Sequence, residues 1–128
     1  LYTVGSVKRI PGYKQYVAID GGMTDNPRYA LYESRYTVLH GSRTGEAERF
    51  DVVGRCCESG DIIQPGVELP ADTCKGDIIA VCTTGAYNYS MASNYNRLPR
   101  PPIVMLAKDR SYEAVRRETL EDLVALDL

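Results

Sequence analysis

Apolar and β-branched residues recur along this 128-residue chain in short runs, separated by glycine, proline, asparagine and aspartate. Within many runs the apolar positions alternate with polar ones, as expected for half-buried strands. The pattern predicts eight strands, at residues 2–10, 16–20, 35–40, 49–54, 61–64, 77–83, 103–107 and 112–117. Short strands of this number favour a mostly β fold, an antiparallel barrel or sandwich with short helical turns.

The segments between the predicted strands carry residues typical of turns. Glycine supplies positive φ angles, and proline fixes the first turn dihedral. The predicted turns are Pro11-Gly12, Gly41-Ser42, Gly45-Glu46, Pro65-Gly66 and Lys75-Gly76-Asp77.

Two stretches break the strand pattern and predict short helices. Residues 26–32 begin with Asn26, which can cap a helix, and Pro27, which suits the first helical position. Residues 119–126 begin with Thr119 and carry Asp122 three positions later, the spacing of a capping box. The apolar residues that follow predict a short amphipathic helix near the end of the chain.

Composition places the chain among ordinary globular domains. It is 44% hydrophobic and 25% charged, with a net charge of −2 and both signs interspersed. This balance gives no electrostatic footprint for nucleic acid or an anionic membrane. No apolar run approaches the ~20 residues of a membrane span, and no signal peptide is recognisable. Because the chain starts at Leu1 within strand-like sequence, we expect a portion of a longer protein.

The four cysteines, at positions 56, 57, 74 and 82, show no Cys-x-x-Cys spacing, and His40 is the only histidine. A structural zinc site is therefore not expected, and no metal is predicted. Reduced thiols in a cytoplasmic protein are the simplest interpretation. We expect Cys82 in a core strand and His40 at the surface.

Two polar clusters contain residue types able to perform chemistry. Residues 54–61 place Cys57 and Glu58 on a glycine-flanked turn between two apolar runs. Reactive side chains on such a turn are how a rigid sheet presents chemistry to a cleft. Residues 20–28 put paired glycines after a strand and lead to Arg28, whose guanidinium can hold a carboxylate in bidentate fashion.

A third cluster, residues 83–96, is rich in tyrosine and asparagine, and its phenols can donate to phosphate or carboxylate oxygens. Taken singly, every candidate also has a plain structural interpretation. Arg28 can form a surface ion pair, and Tyr87 can be a half-buried aromatic bonded to the loop backbone. Cys57 can be an inert buried thiol, and Glu58 a solvated turn residue.

Together the three clusters resemble one family. Residues 20–32 resemble its substrate-arginine segment, residues 57–61 its proton-donor turn, and residues 84–97 its cofactor-edge loop. The family is diaminopimelate decarboxylase, a pyridoxal-phosphate enzyme whose fold is shared with alanine racemase and ornithine decarboxylase. The resemblance covers essentially the whole chain, with the three segments in the same order.

The resemblance implies that residues 1–128 are the C-terminal β-domain of such an enzyme, the half that binds substrate and dimerises. Family members carry the Schiff-base lysine and a glycine-rich phosphate cradle on an N-terminal (β/α)8 barrel, and this sequence contains neither. Pyridoxal 5′-phosphate is therefore the implied cofactor, with its lysine and phosphate loop outside this chain. The chain by itself is expected to be inactive.

The resemblance also implies roles in decarboxylating meso-2,6-diaminopimelate to L-lysine, the last step of lysine biosynthesis. Cys57 corresponds to the proton donor and Glu58 to the residue that binds the distal ammonium. Arg28 and Tyr32 correspond to groups that bind the distal carboxylate, and Tyr87 to one that contacts cofactor and substrate. The turn that carries Cys57 and Glu58 is expected to reach the active site of the other subunit in a head-to-tail homodimer.

Two other functions remain open at this point. A decarboxylase of the same fold could act on ornithine, arginine or carboxynorspermidine, but an arginine clamp has no distal carboxylate to hold in those substrates. A free-standing β-barrel oligomerisation module would explain the strands. It would not explain three polar clusters in one family's order.

Overall fold

The computed structural model describes residues 1–128 as eight strands, three short helices and one 3₁₀ turn. The strands are β1 (Tyr2–Arg9), β2 (Gln15–Ile19), β3 (Val38–His40), β4 (Ala47–Val53), β5 (Ile62–Pro70), β6 (Ile78–Val81), β7 (Ile103–Leu106) and β8 (Ser111–Val115). The helices are α1 (Arg28–Tyr32), α2 (Asn88–Met91) and α3 (Leu120–Val124), and the 3₁₀ turn is Tyr95–Arg97. The prediction of a mostly β fold with short helices is confirmed.

Six strands form one sheet in the order β3-β6-β1-β2-β4-β5, and β7 pairs with β8 in a separate hairpin. All pairs are antiparallel except β2 and β4, which run parallel. The expectation of a purely antiparallel sheet is wrong at this pair. The reason is the connection: α1 and β3 intervene between β2 and β4, and a crossover of this length allows a parallel return.

The six-stranded sheet curls into a nearly closed barrel around its apolar core. Its edges are bridged near β3 by the backbone N–H of Tyr36, which donates to the side-chain oxygen of Gln64 on β5 at 2.8 Å. The core consists of 11 buried side chains, chiefly alternate residues of the strands: Val4, Val17, Ile19, Val38, Phe50, Val52, Ile63, Val67, Leu69, Ile79 and Val81. Burying such side chains stabilises the fold by roughly 1.5–3 kcal/mol each.

The predicted turn at Pro65-Gly66 is wrong, because β5 continues through both residues. The ladder between β4 and β5 shifts register here, which marks a bulge. Gly66 takes a positive φ of 66°, and its N–H donates to Asp51 Oδ1 at 2.8 Å. Residues typical of a turn are thus accommodated by a bulge inside a strand.

The two predicted helices form with different caps. Asn26 is not the cap of α1: Pro27 holds that position without a side-chain hydrogen bond, and the helix begins at Arg28. The capping box of α3 is confirmed, since Thr119 and Asp122 each accept a hydrogen bond from the other's backbone N–H. The sequence pattern missed α2 and the 3₁₀ turn, which are too short to show helical periodicity.

The expected surface position of His40 is wrong, because its side chain is only 3% exposed. Nδ1 accepts the backbone N–H of Arg43 at 3.0 Å, while Nε2 lies 3.2 Å from a carboxylate oxygen of Asp77. The imidazole therefore stabilises the turn after β3.

Cys82 is half-buried directly after β6, at the margin of the core and not within it.

The C-terminal hairpin and its flanking segments are joined by Glu118. Its carboxylate accepts hydrogen bonds from the Arg100 backbone at 2.8 Å, the Arg100 guanidinium at 2.7 Å and the Asn94 amide at 2.7 Å. These donors lower the pKa of Glu118 to about 2, with the Arg100 side chain the largest cause.

None of the helices has the length and apolar character needed to cross a bilayer.

The lowered pKa of Glu118 predicts that the folded C-terminal segment becomes less stable at acidic pH. The lowered pKa of Glu118 stabilises the folded state above the ordinary carboxyl pKa, and this stabilisation is lost as the pH falls from about 4.5 towards 2. We expect Glu118→Gln to lower the free energy of unfolding by about 1–2 kcal/mol at pH 7. Urea unfolding at pH 7 and pH 2.5 measures this. An equal difference between variant and wild type at both values would contradict it.

Candidate functional site

Arg28, Tyr32 and Tyr87 form a cluster at the start of α1. The Arg28 guanidinium carbon lies 5.5 Å from the centre of the Tyr32 ring and 5.1 Å from that of Tyr87. Residues 28 and 32 share one face because they are four positions apart on a helix. Arg28 makes no ion pair in the chain. The cluster thus holds a cation between two aromatic rings with its charge uncompensated.

The Tyr87 side of this cluster has an unusual backbone. Tyr87 takes a positive φ of 71°, which is uncommon outside glycine, and the residue is 66% exposed. The next residue, Asn88, is buried, and its amide nitrogen finds no acceptor in the chain. A strained backbone beside an unsatisfied buried donor is the kind of feature that accompanies ligand sites.

The Cys57 turn presents a free thiol and a carboxylate to solvent. Cys57 and Glu58 are both exposed, so the interpretation of Cys57 as an inert buried thiol is excluded. Glu58 accepts the backbone N–H of Gly60 at 2.9 Å. Its neighbour Cys56 is half-buried, and burial followed by the adjacent Asp61 carboxylate raises the pKa of the Cys56 thiol. The two adjacent cysteines therefore have different environments, and Cys57 is the more exposed of the two.

Asp61 joins the Cys57 turn to the loop that precedes α1. Its carboxylate is 4% exposed and accepts the backbone N–H of Met23 at 2.6 Å and that of Cys56 at 2.7 Å. Two glycines make room for it: a Cβ at Gly22 would lie 2.7 Å from Asp61, and one at Gly54 would come closer still. One buried carboxylate thus connects two predicted site segments.

The loop before α1 has further anchors on both sides. The backbone N–H of Arg55 donates to the Gly21 carbonyl at 3.0 Å, and that of Ser93 donates to the Thr24 carbonyl at 2.8 Å. Asp25 accepts the Gly22 N–H at 2.9 Å and also the hydroxyl of Tyr2. Burial raises the pKa of the Asp25 carboxyl. The loop is therefore fixed to the Cys57 turn, to the segment that follows Tyr87, and to β1.

The structure brings together some predicted site residues and separates others. Arg28, Tyr32 and Tyr87 are in mutual contact through the guanidinium. Cys57 and Glu58 have no hydrogen bond, ion pair or cation–π contact with that group. The chain therefore presents a cationic Arg28 cluster and a separate thiol–carboxylate turn, whose segments are joined through the Asp61 carboxylate and backbone hydrogen bonds.

Sequence reasoning placed Asp61 and Asn88 within the candidate clusters at 54–61 and 83–96 but assigned neither of them a role. The sequence does contain a pattern that indicates the position of Asp61. It ends a turn that begins with Gly54, and both residues lie next to apolar runs. The burial of Asn88 carries no local signal, because it accompanies the conformation of the preceding Tyr87 and a hydrogen bond that the distant Tyr36 hydroxyl donates to Asn88 Oδ1 at 3.4 Å.

Comparison with known proteins links this geometry to one family. Residues 1–85 match the sequence profile described as "Pyridoxal-dependent decarboxylase, C-terminal sheet domain". Diaminopimelate decarboxylase of Bacillus subtilis (strain 168) is 52% identical over 130 residues, covering 100% of this chain and 29% of that protein. The Staphylococcus aureus (strain COL) enzyme of the same name is 44% identical, with 99% and 30% covered.

Solved structures of diaminopimelate decarboxylases contain a domain with the fold of this chain. Diaminopimelate decarboxylase from M. jannaschii superposes with a TM-score of 0.93 at 35% identity, covering 99% of this chain and 29% of that one. The Helicobacter pylori enzyme complexed with L-lysine gives 0.89 at 36% identity, with 98% and 30% covered. This chain thus spans about three tenths of the length of these relatives. The family resemblance inferred from the three sequence segments is confirmed.

The Asp61 contact makes a testable prediction about Gly54. A methyl group there would collide with the buried carboxylate, so Gly54→Ala should lower the free energy of unfolding by about 1–3 kcal/mol. Gly45→Ala is the matched control, because a Cβ at Gly45 meets nothing within 4 Å. Urea unfolding of both variants measures the difference. Equal stabilities would show that the two segments are not packed against Asp61.

Proposed function

Because the chain belongs to the family of pyridoxal-dependent decarboxylase C-terminal sheet domains, we propose that it is the C-terminal part of a diaminopimelate decarboxylase. The whole enzyme would remove the α-carboxylate of meso-2,6-diaminopimelate and release L-lysine. Residues 1–128 would form its substrate-binding and dimerisation domain. The relatives that share this name at 44–52% identity over the whole chain support the proposal.

The uncompensated charge of Arg28 is the observation that carries the substrate assignment. Its guanidinium lies between the Tyr32 and Tyr87 rings and has no acidic partner. A guanidinium in this state can receive both oxygens of a carboxylate. Diaminopimelate has a second carboxylate at the end remote from decarboxylation, whereas ornithine and arginine have none. We assign the distal carboxylate to Arg28, with Tyr32 beside it.

Glu58 is assigned to the distal ammonium of the same substrate. Its carboxylate is exposed, and its only hydrogen bonds within the chain come from its own turn. A second amino-acid end carries one negative and one positive charge, so it needs one cationic and one anionic partner. Arg28 and Glu58 would supply that pair of charges.

The residues at the Tyr87 edge fit a cofactor that bears a phosphate and a polar ring. Tyr87 presents an exposed phenol, and the adjacent Asn88 has an amide donor without an acceptor. Because the chain spans only about three tenths of the length of its relatives, the Schiff-base lysine is proposed to lie outside residues 1–128. Pyridoxal phosphate, when bound, supplies an electron sink for the bond that breaks.

Cys57 is assigned the proton that replaces the lost carboxylate. Its exposed thiol would deliver a proton from Sγ to the α-carbon of the substrate after carbon dioxide leaves. Because Cys57 and Arg28 make no direct contact in one chain, we place them in different active sites of a head-to-tail homodimer. Each site would then combine the Arg28 cluster of one subunit with the Cys57 turn of its partner.

The Arg28 assignment is tested by substitution in the full-length enzyme. Arg28→Ala should raise KM for diaminopimelate about 10- to 100-fold, because a charge-assisted bidentate contact contributes about 1.5–3 kcal/mol. Arg110→Ala is the control, since its guanidinium also lies over a tyrosine ring, 5.5 Å from Tyr112, on the separate hairpin. Steady-state kinetics with diaminopimelate and ornithine measure the effect.

Two results would contradict the substrate assignment. One is an unchanged KM for diaminopimelate in Arg28→Ala. The other is a wild-type enzyme that prefers ornithine, which would indicate a different decarboxylase of the same fold.

The shared active site is tested by subunit mixing. Cys57→Ala and Arg28→Ala homodimers should each be strongly impaired, the former by about 10²- to 10⁴-fold. After unfolding and refolding together, half of the dimers are mixed. One site of each mixed dimer then carries both intact residues, so activity should return to about a quarter of the wild-type value.

The control for this experiment is each variant refolded alone, which should stay impaired. If the mixture recovers no activity although mixed dimers are detected, Cys57 and Arg28 serve the same subunit's site, and the shared arrangement is wrong.

A further inference from the structure

One cavity of the chain is lined by none of the residues of the Arg28 cluster. It has a volume of about 800 Å³ and is lined mainly by the turn between β1 and β2, by β4 and by the bulge in β5. Only two of its 12 lining residues are hydrophobic. A polar cavity of this size is suited to a small charged ligand more than to an apolar one.

The lining of this cavity is strongly basic. Four cationic side chains, Arg9, Lys14, Arg35 and Arg49, face one carboxylate, Asp51. The lining has an excess of three positive charges, which the pairing of Arg9 with Glu48 reduces to two, in a chain whose net charge is −2. Clefts lined by one sign of charge raise the local concentration of ions of the opposite sign.

Two of the four cations already have partners. Lys14 Nζ lies 2.6 Å from Asp51 Oδ2, and Arg9 pairs with Glu48 at 3.4 Å. The Asp51 carboxylate is also occupied by the N–H of Gly66 at 2.8 Å. The one acidic side chain in the lining is therefore committed to Lys14 and to the bulge.

Arg35 and Arg49 have no partner of their own. Neither guanidinium makes a hydrogen bond or an ion pair in the chain. Arg49 lies across the bulge, since a Cβ at Gly66 would meet its guanidinium nitrogens at 2.6 and 2.8 Å. The absence of a side chain at Gly66 therefore lets Arg49 lie against the backbone at the cavity wall.

We propose that this cavity binds a small oxyanion carrying two or more negative charges, with Arg35 and Arg49 as its direct ligands. Each guanidinium presents a fork of donors that matches phosphate or carboxylate oxygens. Arg9 and Lys14 are paired with Glu48 and Asp51, so the uncompensated positive charge of the cavity belongs to Arg35 and Arg49. The proposal concerns a site separate from the Arg28 cluster and does not depend on the proposed decarboxylase activity.

The test is direct binding to the full-length protein with its cofactor bound, so that the cofactor's phosphate position is already filled. Inorganic phosphate and citrate are titrated by isothermal calorimetry, with sodium chloride keeping the ionic strength constant. We expect one saturable site per chain for at least one of them. The double variant Arg35→Gln/Arg49→Gln should bind at least 10-fold more weakly.

Arg110→Gln is the matched control, because it removes one arginine charge on the separate hairpin and should leave binding unchanged. If the double variant is less stable than the wild type in urea unfolding, the binding test uses the single variant Arg35→Gln instead. Arg35 lies outside the strands and helices, so this change should leave the fold intact. Binding of phosphate alone, or of citrate alone, that is lost in the cavity variants supports the proposal and identifies the anion. Absence of saturable binding of both, or an equal loss in Arg110→Gln, overturns it.

Discussion

The buried carboxylate of Asp61 is the constraint on which the arrangement of this site depends. A carboxylate removed from water must receive hydrogen bonds, and here the donors are backbone N–H groups of two different segments. The same demand explains Gly22 and Gly54, where a side chain would occupy the space of the carboxylate. The loop before α1 and the Cys57 turn are therefore fixed relative to each other.

This anchored loop positions the side chains to which we assign the substrate. At its end, α1 holds Arg28 and Tyr32, while Ser93 bonds the loop to the segment after Tyr87. The hydrogen bond from the Tyr2 hydroxyl to Asp25 ties the same loop to the first strand. The barrel thus serves as a rigid support for side chains that lie on its connections. The exposed Cys57 and the unpaired Arg28 are both left free for groups outside this chain.

Local patterns predicted the strands and the α3 capping box because alternation and capping are short-range signals. They failed where long-range packing decides. Pro65 and Gly66 have turn chemistry, but pairing with β4 keeps them in a strand as a bulge. His40 ends β3 next to a polar turn, yet its side chain is buried against Asp77. The Cys57 and Arg28 segments were found from their residue types and from resemblance to a family, whereas the role of Asp61 in joining them became visible only in three dimensions.

Amide hydrogen exchange at Met23 and Cys56 tests most directly whether Asp61 holds the two segments together. Both N–H groups should be protected in the native protein and should lose protection together in Asp61→Asn. The Cys82 amide, bonded to Thr37 at 2.8 Å, should be unaffected. If Met23 and Cys56 exchange as fast in the native protein as in the variant, or respond independently, Asp61 does not join the loop to the turn.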